Sequence, residues 1–251
     1  GMRYFQSDGD RLLTLLRRIR SRVTDIGATT RTLKNSTASL RGVSGLVASL
    51  DDELGEHYLR RSSELHQVEQ FLDSLIGLLD AEEDRHVAVL FQNPSELRPG
   101  GGFIGSYADL ALRRGQMVGL DVRDIYDADG QLDVVVAPPA ELRTLTSRWG
   151  ARDANWFFDF PASGEAVLGF LEASKLHAER GTTFAGALAM NIRVVESVLK
   201  ATGPVELPEY KPALTSANFL LEVQREVEAG ADNRAGHPKR ILSVLAPVLL
   251  E

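Results

Sequence analysis

The sequence predicts an α/β (α+β) protein: a mixed sheet flanked by helices and preceded by an N-terminal helical hairpin or bundle. Three observations predict it. Apolar residues recur at three- and four-residue steps through residues 8–82, a short β-branched run begins abruptly at His86, and strand-like runs then alternate with helical ones toward the end of the chain. The expected organisation is a helical region over residues 1–84 and an α/β domain over residues 85–251.

Taken in order, Leu12, Leu16, Ile19, Val23 and Ile26 form one helical stripe, and Leu33, Leu40, Val43, Val47, Leu50 and Leu54 form a second. Leu65, Val68, Leu72, Leu75 and Leu79 form a third, so residues 8–82 read as two or three amphipathic helices. Residues 1–50 hold nine Lys+Arg against three Asp+Glu, whereas residues 51–84 hold two against eleven. That asymmetry suits neighbouring helices with complementary faces, and solvated charge is the plainer account. The run "HVAVLFQ" has the continuous apolar character of a strand buried on both faces. "MVGLDVRDIY" alternates Val118, Leu120 and Val122 against Gly119, Asp121 and Arg123, the strand period of two. "FAGALAMN" is a further buried strand, after which Asn191 caps a helix that Gly203 and Pro204 stop. Other helices are expected over residues 141–149, 161–174, 216–228 and 238–250.

Composition removes several function classes. A net charge of −7 and a pI near 5.4 give no concentrated basic face for phosphate backbones, so nucleic acid is not an expected partner. With no cysteine, disulfides, thiolate catalysis and cysteine metal sites are impossible. The five histidines show no ligand spacing, and there is neither a G-x-S-x-G elbow nor a Walker lysine. No apolar run approaches the roughly 20 residues needed to span a bilayer. Gly1 ahead of Met2 reads as a cleavage scar, so the chain is expected to be a piece of a longer protein whose flanks include a membrane anchor.

Gly100, Gly102 and Gly105 satisfy the dinucleotide pattern G-x-G-x-x-G, and Asp121 stands near the place of a ribose-binding acid. "GGGFIGSYADLALRRGQMVGLD" resembles the opening of nucleotide-sugar epimerases, which implies NAD. The fingerprint, however, requires the glycines to follow a strand directly, and "NPSELRP" intervenes here. No tyrosine has the lysine four residues on that those enzymes use. Residues 103–112 fit either a helix or the first strand of a hairpin turning at Arg114-Gly115.

"QNPSELRPGGGFIGSY", "DIYDADG", "ARDANWFFDFP", "FAGALAMN" and "LKATGPVELPE" together resemble the bacterial domain of unknown function family 4012, over about residues 86–222. This chain has Ala185-Gly186-Ala187 where the family usually has Asp-Gly-Val, and Asn191 where it has an aspartate. The resemblance implies an extracytoplasmic cell-envelope domain, membrane-anchored in the full-length protein, with no established reaction. A remoter order of motifs is similar to the LytR-CpsA-Psr family, which transfers glycopolymers from polyprenyl-pyrophosphate carriers. In that comparison Arg98 falls in the loop before the hairpin, Arg123 and Asp124 at the "PRD" motif, and Arg234 and Arg240 near the final arginines. Guanidinium forks suit a pyrophosphate, and Mg²⁺ enters only if the protein is a phosphotransferase. The aspartate expected in the first loop is replaced by "RPGGG".

The candidate ligand-binding residues are therefore Arg98, Gly101, Gly102, Arg123, Asp124, Arg152, Asp159, Arg234 and Arg240. Five of them have a structural alternative: a loop arginine bonding local carbonyls for Arg98, an ion pair for Arg123 and Asp124, a helix start for Asp159, and the same ambiguity for Arg152 beside Asp153. Trp156 is expected in the core. The expected function is binding of an anionic or polyprenyl-linked envelope ligand, without a cofactor. Alternatives are Mg²⁺-dependent phosphotransfer, an NAD-dependent epimerase, and a non-catalytic structural or interaction module.

Overall fold

The computed structural model describes residues 8–40, 42–144, 146–229 and 240–250, and it divides into two compact units. The first holds residues 8–82 with the turn at 114–116. Here α1 (Gly9–Leu40) and α2 (Gly45–Leu79) form the expected hairpin, as two helices, because the third apolar stripe continues α2 without a break. Their seam follows the 3–4 step: Leu13, Leu72 and Leu79 are buried, and Leu65 approaches Gly27. Arg20 pairs with Asp73 at 3.0 Å, Arg17 with Asp80, and Thr24 donates to Glu69 at 2.6 Å. These pairs are where basic α1 and acidic α2 meet.

The second unit is a four-stranded mixed sheet with helices. Strands β1 (Arg85–Asn93), β2 (Phe103–Arg113), β3 (Gln116–Asp124) and β4 (Phe184–Asn191) lie in the order β3-β2-β1-β4. β1 pairs antiparallel with β2 and parallel with β4. That central place explains its unbroken apolar run, since Val87, Ala88, Val89 and Leu90 are all buried. The expected buried strand at "FAGALAMN" is instead an edge strand, with Leu188 half exposed.

Residues 103–112 are strand, and the Arg114-Gly115 turn has φ of 48° and 72° at its two central residues. Paired positive φ marks the type I′ turn, whose twist matches that of a hairpin. The epimerase reading fails on this point. Its fingerprint places a helix N-terminus against the pyrophosphate, whereas Gly102 here leads into β2.

After β3 come α3 (Ile125–Asp129), α4 (Phe160–Ala173), α5 (Lys175–Ala178), α6 (Ile192–Thr202), α7 (Phe219–Ala229) and α8 (Arg240–Leu250). Asn191 caps α6 as expected, its side chain accepting from the Arg193 N–H at 3.0 Å. The expected helix over residues 141–149 does not form. Pro138 and Pro139 lead only into a single 3₁₀ turn at Ala140–Leu142, and Trp149 N–H donates to Val136 O at 2.9 Å. That non-local bridge takes the backbone a continued helix would use.

Two cores result. Leu90, Ile104, Tyr107, Ile125, Val167 and Leu171 form one between the sheet and α4. Leu199, Leu207, Leu214, Phe219, Ile241 and Leu245 form the other among α6, α7 and α8. The expected core Trp156 is not part of the first, and Trp149 packs there instead, edge-on to Phe170 at 5.2 Å.

Candidate functional site: an arginine and aromatic cleft

The site begins with the glycine loop that follows β1. Asn93 Oδ1 accepts from Ser95 N–H at 3.1 Å, and Phe103 N–H donates back to Glu96 O at 2.9 Å. Asn155, fully buried, donates through Nδ2 to Gly102 O at 2.6 Å, while Gln92 Nε2 reaches Gly100 O at 2.9 Å. A Cβ at Gly100 would collide with the Asn155 amide, and one at Gly102, where φ is 132°, would collide with the Asn93 carbonyl. "PGGG" and "AN" are thus two halves of one packed feature. The close approaches the glycines serve are to the protein's own side chains and backbone, Gly100 to Asn155 and Gly102 to Asn93.

That clamp sets Arg98 and residues 148–153 opposite the end of the hairpin. Arg98 donates to Leu97 O at 2.8 Å and to Asp153 Oδ1 at 3.4 Å, and its guanidinium lies 5.2 Å over the Phe103 ring. Its Nε is buried without a partner among the described residues. Arg152 makes the matching arrangement: Nε donates to Asp153 Oδ2 at 3.1 Å, and the guanidinium lies 5.2 Å over Tyr126. The Phe103 and Tyr126 rings are 6.5 Å apart.

Asp124 Oδ1 accepts from Tyr126 N–H at 2.9 Å, so it starts α3 and thereby places Tyr126. At the other end of α3, Asp129 accepts from the N–H groups of Ala151 at 2.7 Å and Arg152 at 3.4 Å. Burial pushes the Asp129 pKa above the usual carboxylate range, against those two bonds and the Arg152 charge. Between α3 and the 148–152 segment lies a cavity of about 240 Å³, lined by Tyr126, Asp129, Leu132, Arg148, Trp149 and Arg152. Arg148 reaches it while donating to Leu132 O at 3.2 Å, and Trp149 Nε1 donates to Asp153 O at 3.2 Å. The guanidiniums of Arg98, Arg148 and Arg152 meet the carboxylates of Asp153, Asp129 and, at the start of α3, Asp124 in this neighbourhood. Forked donors beside two aromatic faces suit a planar or tetrahedral anion carrying an apolar or ring-shaped body.

A second buried polar group lies behind the sheet. Tyr107 and His177 are both buried, with Tyr107 Oη 2.7 Å from His177 Nε2, and His177 packs edge-on against Phe184 at 5.0 Å. Burial lowers the His177 pKa and raises that of Tyr107, so both are neutral at pH 7.

The structure therefore brings together Arg98, Gly101, Gly102, Asp124 and Arg152, and separates the other candidates. Arg123 pairs with Asp121 at 2.8 Å, two residues earlier on the same strand face. Asp159 is exposed at the start of α4 and makes no capping bond. Arg240 opens α8 and pairs with Glu209 at 2.5 Å, beside the second core. Arg234 lies outside the described residues. Sequence reasoning did not single out Tyr126, Asp129, Arg148 or Trp149. The first two lie inside "DIYDADG", where a tyrosine and two acids close behind a strand end were the available signal.

An α/β unit with a charged, aromatic-walled cleft at the end of its hairpin is the class defined by this fold. The chain belongs to the family described as protein of unknown function (DUF4012), whose sequence model matches residues 82–227. That span takes in the glycine loop, the cleft and the first core, but only part of the second, whose Ile241 and Leu245 lie on α8. Neither a curated protein nor a solved structure matches the chain.

Proposed function

We propose that the α/β unit binds a phosphate-bearing envelope ligand of the polyprenyl-linked class on the outer side of a membrane to which the full-length protein is anchored. One observation carries the reading: Arg148 and Arg152 converge with Tyr126 and Trp149 on a single cavity of about 240 Å³. Guanidinium forks match phosphate oxygens, and aromatic walls accept an isoprenoid or sugar beside the head group. The resemblance to an envelope family and the order of motifs similar to LytR-CpsA-Psr proteins support the choice of ligand. No helix among the described residues is long and apolar enough to cross a membrane. Binding without turnover is favoured over phosphotransfer because the carboxylate lining the cavity, Asp129, is engaged by backbone N–H groups, its neighbour Asp153 by two arginines, and Asp124 by the Tyr126 N–H.

The test is a titration with a short-chain polyprenyl phosphate in detergent, followed by tryptophan fluorescence, because Trp149 lines the cavity. A charge-assisted hydrogen bond is worth about 1.5–3 kcal/mol, so Arg152→Ala and Arg148→Ala are each expected to weaken binding about 10- to 100-fold. Equal affinity for the uncharged polyprenol, or unchanged affinity in the Arg148→Ala protein, overturns the proposal. Mg²⁺-dependent conversion of a polyprenyl pyrophosphate to the monophosphate, with the outer phosphoryl group passed to an added hydroxyl acceptor, would replace binding with phosphotransfer.

A further inference from the structure

The helical unit carries a surface that its own fold does not use. Along α1 the seam residues Leu16, Val23 and Thr30 are each followed three positions later by a large apolar residue, Ile19, Ile26 and Leu33. Those three are 42–54% exposed. Along α2 the seam residues Leu65 and Leu72 are followed at the same offset by Val68, 44% exposed, and by half-buried Leu75, with Phe71 alongside at 64%. Two antiparallel helices are related by an approximate twofold axis normal to the hairpin, so equal offsets from the seam put both stripes on one face. The α1 stripe repeats every seven residues, the period that lets a straight apolar seam follow a partner helix over several turns.

We infer that this face is the contact surface for a second copy of the chain, closing two hairpins into an antiparallel four-helix bundle. Charge selects the arrangement. Residues 9–40 carry seven basic against two acidic side chains, and residues 45–79 carry two against seven. Setting α1 of one copy over α2 of the other joins opposite charges, whereas α1 over α1 joins like charges. The dimensions also suffice. Helices of this length run about 48 Å and pack about 10 Å apart, so the face offers on the order of 900 Å² per copy. Two such faces reach about 1,800 Å², within the range of stable interfaces. The hairpin pairs Arg20 with Asp73 and Thr24 with Glu69, which sets residue 26 level with residue 67. A twofold axis parallel to the helices preserves that level and places Ile26 of one copy over Val68 of the other.

Sedimentation equilibrium of the whole chain tests this directly. A dimer is expected at tens of micromolar, reduced at least tenfold in affinity by the paired substitutions Ile19→Glu and Ile26→Glu with an unchanged far-ultraviolet circular dichroism spectrum. A chain that stays monomeric to 100 µM, or one whose dimer survives both substitutions, overturns the inference. Monomers that float with anionic vesicles through Ile19 and Ile26 would make the face a membrane surface instead. Because the chain has no cysteine, single cysteines report the pairing. A mixture of Ile26→Cys and Val68→Cys proteins should cross-link as a heterodimer, and preferential Ile26→Cys self-linkage would refute the α1-over-α2 arrangement.

Discussion

At the scale of single residues, the contact between Gly100 and Asn155 matters more than any charge, because it decides where Arg98 and Arg152 stand. The Asn155 amide is buried against the glycine loop and donates to Gly102 O, leaving no room for a side chain at position 100. Removing the amide strands a buried carbonyl at a cost of about 1–3 kcal/mol, and Gly100→Ala overpacks the same spot by a similar amount. Since the two changes act on one contact, they should not add. In urea unfolding, Gly100→Ala is expected to cost at least 1 kcal/mol less in an Asn155→Ala background than in the wild type, a coupling of about the size found for touching residues. Simple additivity would mean that the loop relaxes away from Asn155 and that the clamp is not what holds it. The arginines of the loop were legible from residue type alone, since Arg98 and Arg152 stand among glycine, proline and acidic residues. Their partners were not. Arg123 joins Asp121 because period-two pleating puts residues two apart on one face, a relation available in "DVRD" but passed over for the adjacent aspartate.

The hairpin of β2 and β3 shows how far local pattern reaches at the scale of elements. β1 could be read from its composition, being buried on both faces, and so could the helices α1, α4 and α6 from their caps and periods. "GFIGSYADLALR" could not, since its apolar residues fit both periods, and pairing with β1 decides it. The 141–149 segment failed for a related reason, as its fate depends on Val136 bridging to Trp149. Only the turn was marked locally. At Gly115, φ is 72° and a Cβ would stand 2.7 Å from the Gly9 carbonyl, so Gly115→Ala is expected to cost about 1–2 kcal/mol. At Arg114, φ is 48°, a conformation asparagine adopts readily, and the pairs that Arg114 makes with Asp10 and Glu82 are exposed. Exposed pairs are worth little, so Arg114→Asn should leave stability within about 0.5 kcal/mol of the wild type. Equal losses from the two substitutions, compared by urea midpoints, would show that the turn's side chains and not its backbone hold the hairpin.

For the molecule as a whole, two buried groups pull stability in opposite directions with pH. His177 is neutral in the fold because burial outweighs the favourable fields of Asp109 and Asp121, which the Arg123 and Arg180 charges oppose. Its folded pKa lies below the ordinary value of about 6.5, so below that pH the unfolded chain takes up a proton that the fold refuses. The unfolded state then binds more protons, and stability falls as pH drops from about 6.5 toward the lowered folded value, by at most about 1.4 kcal/mol per unit. Asp129 acts in the reverse sense. Its folded pKa is raised, so its contribution is full below the ordinary aspartate value and is lost as pH rises through the raised one. Separating the two requires a variant that cannot titrate at position 177. His177→Phe loses the bond to Tyr107 and is expected to be less stable at every pH, but the informative quantity is the slope and not the offset. Between pH 6.5 and 5 the wild type should lose stability more steeply than His177→Phe, and the gap between them should narrow as the solution is acidified. Parallel lines across that interval, measured by urea unfolding, would mean that His177 takes up its proton equally in both states, and the acid sensitivity would then have to come from groups outside the Tyr107 pair.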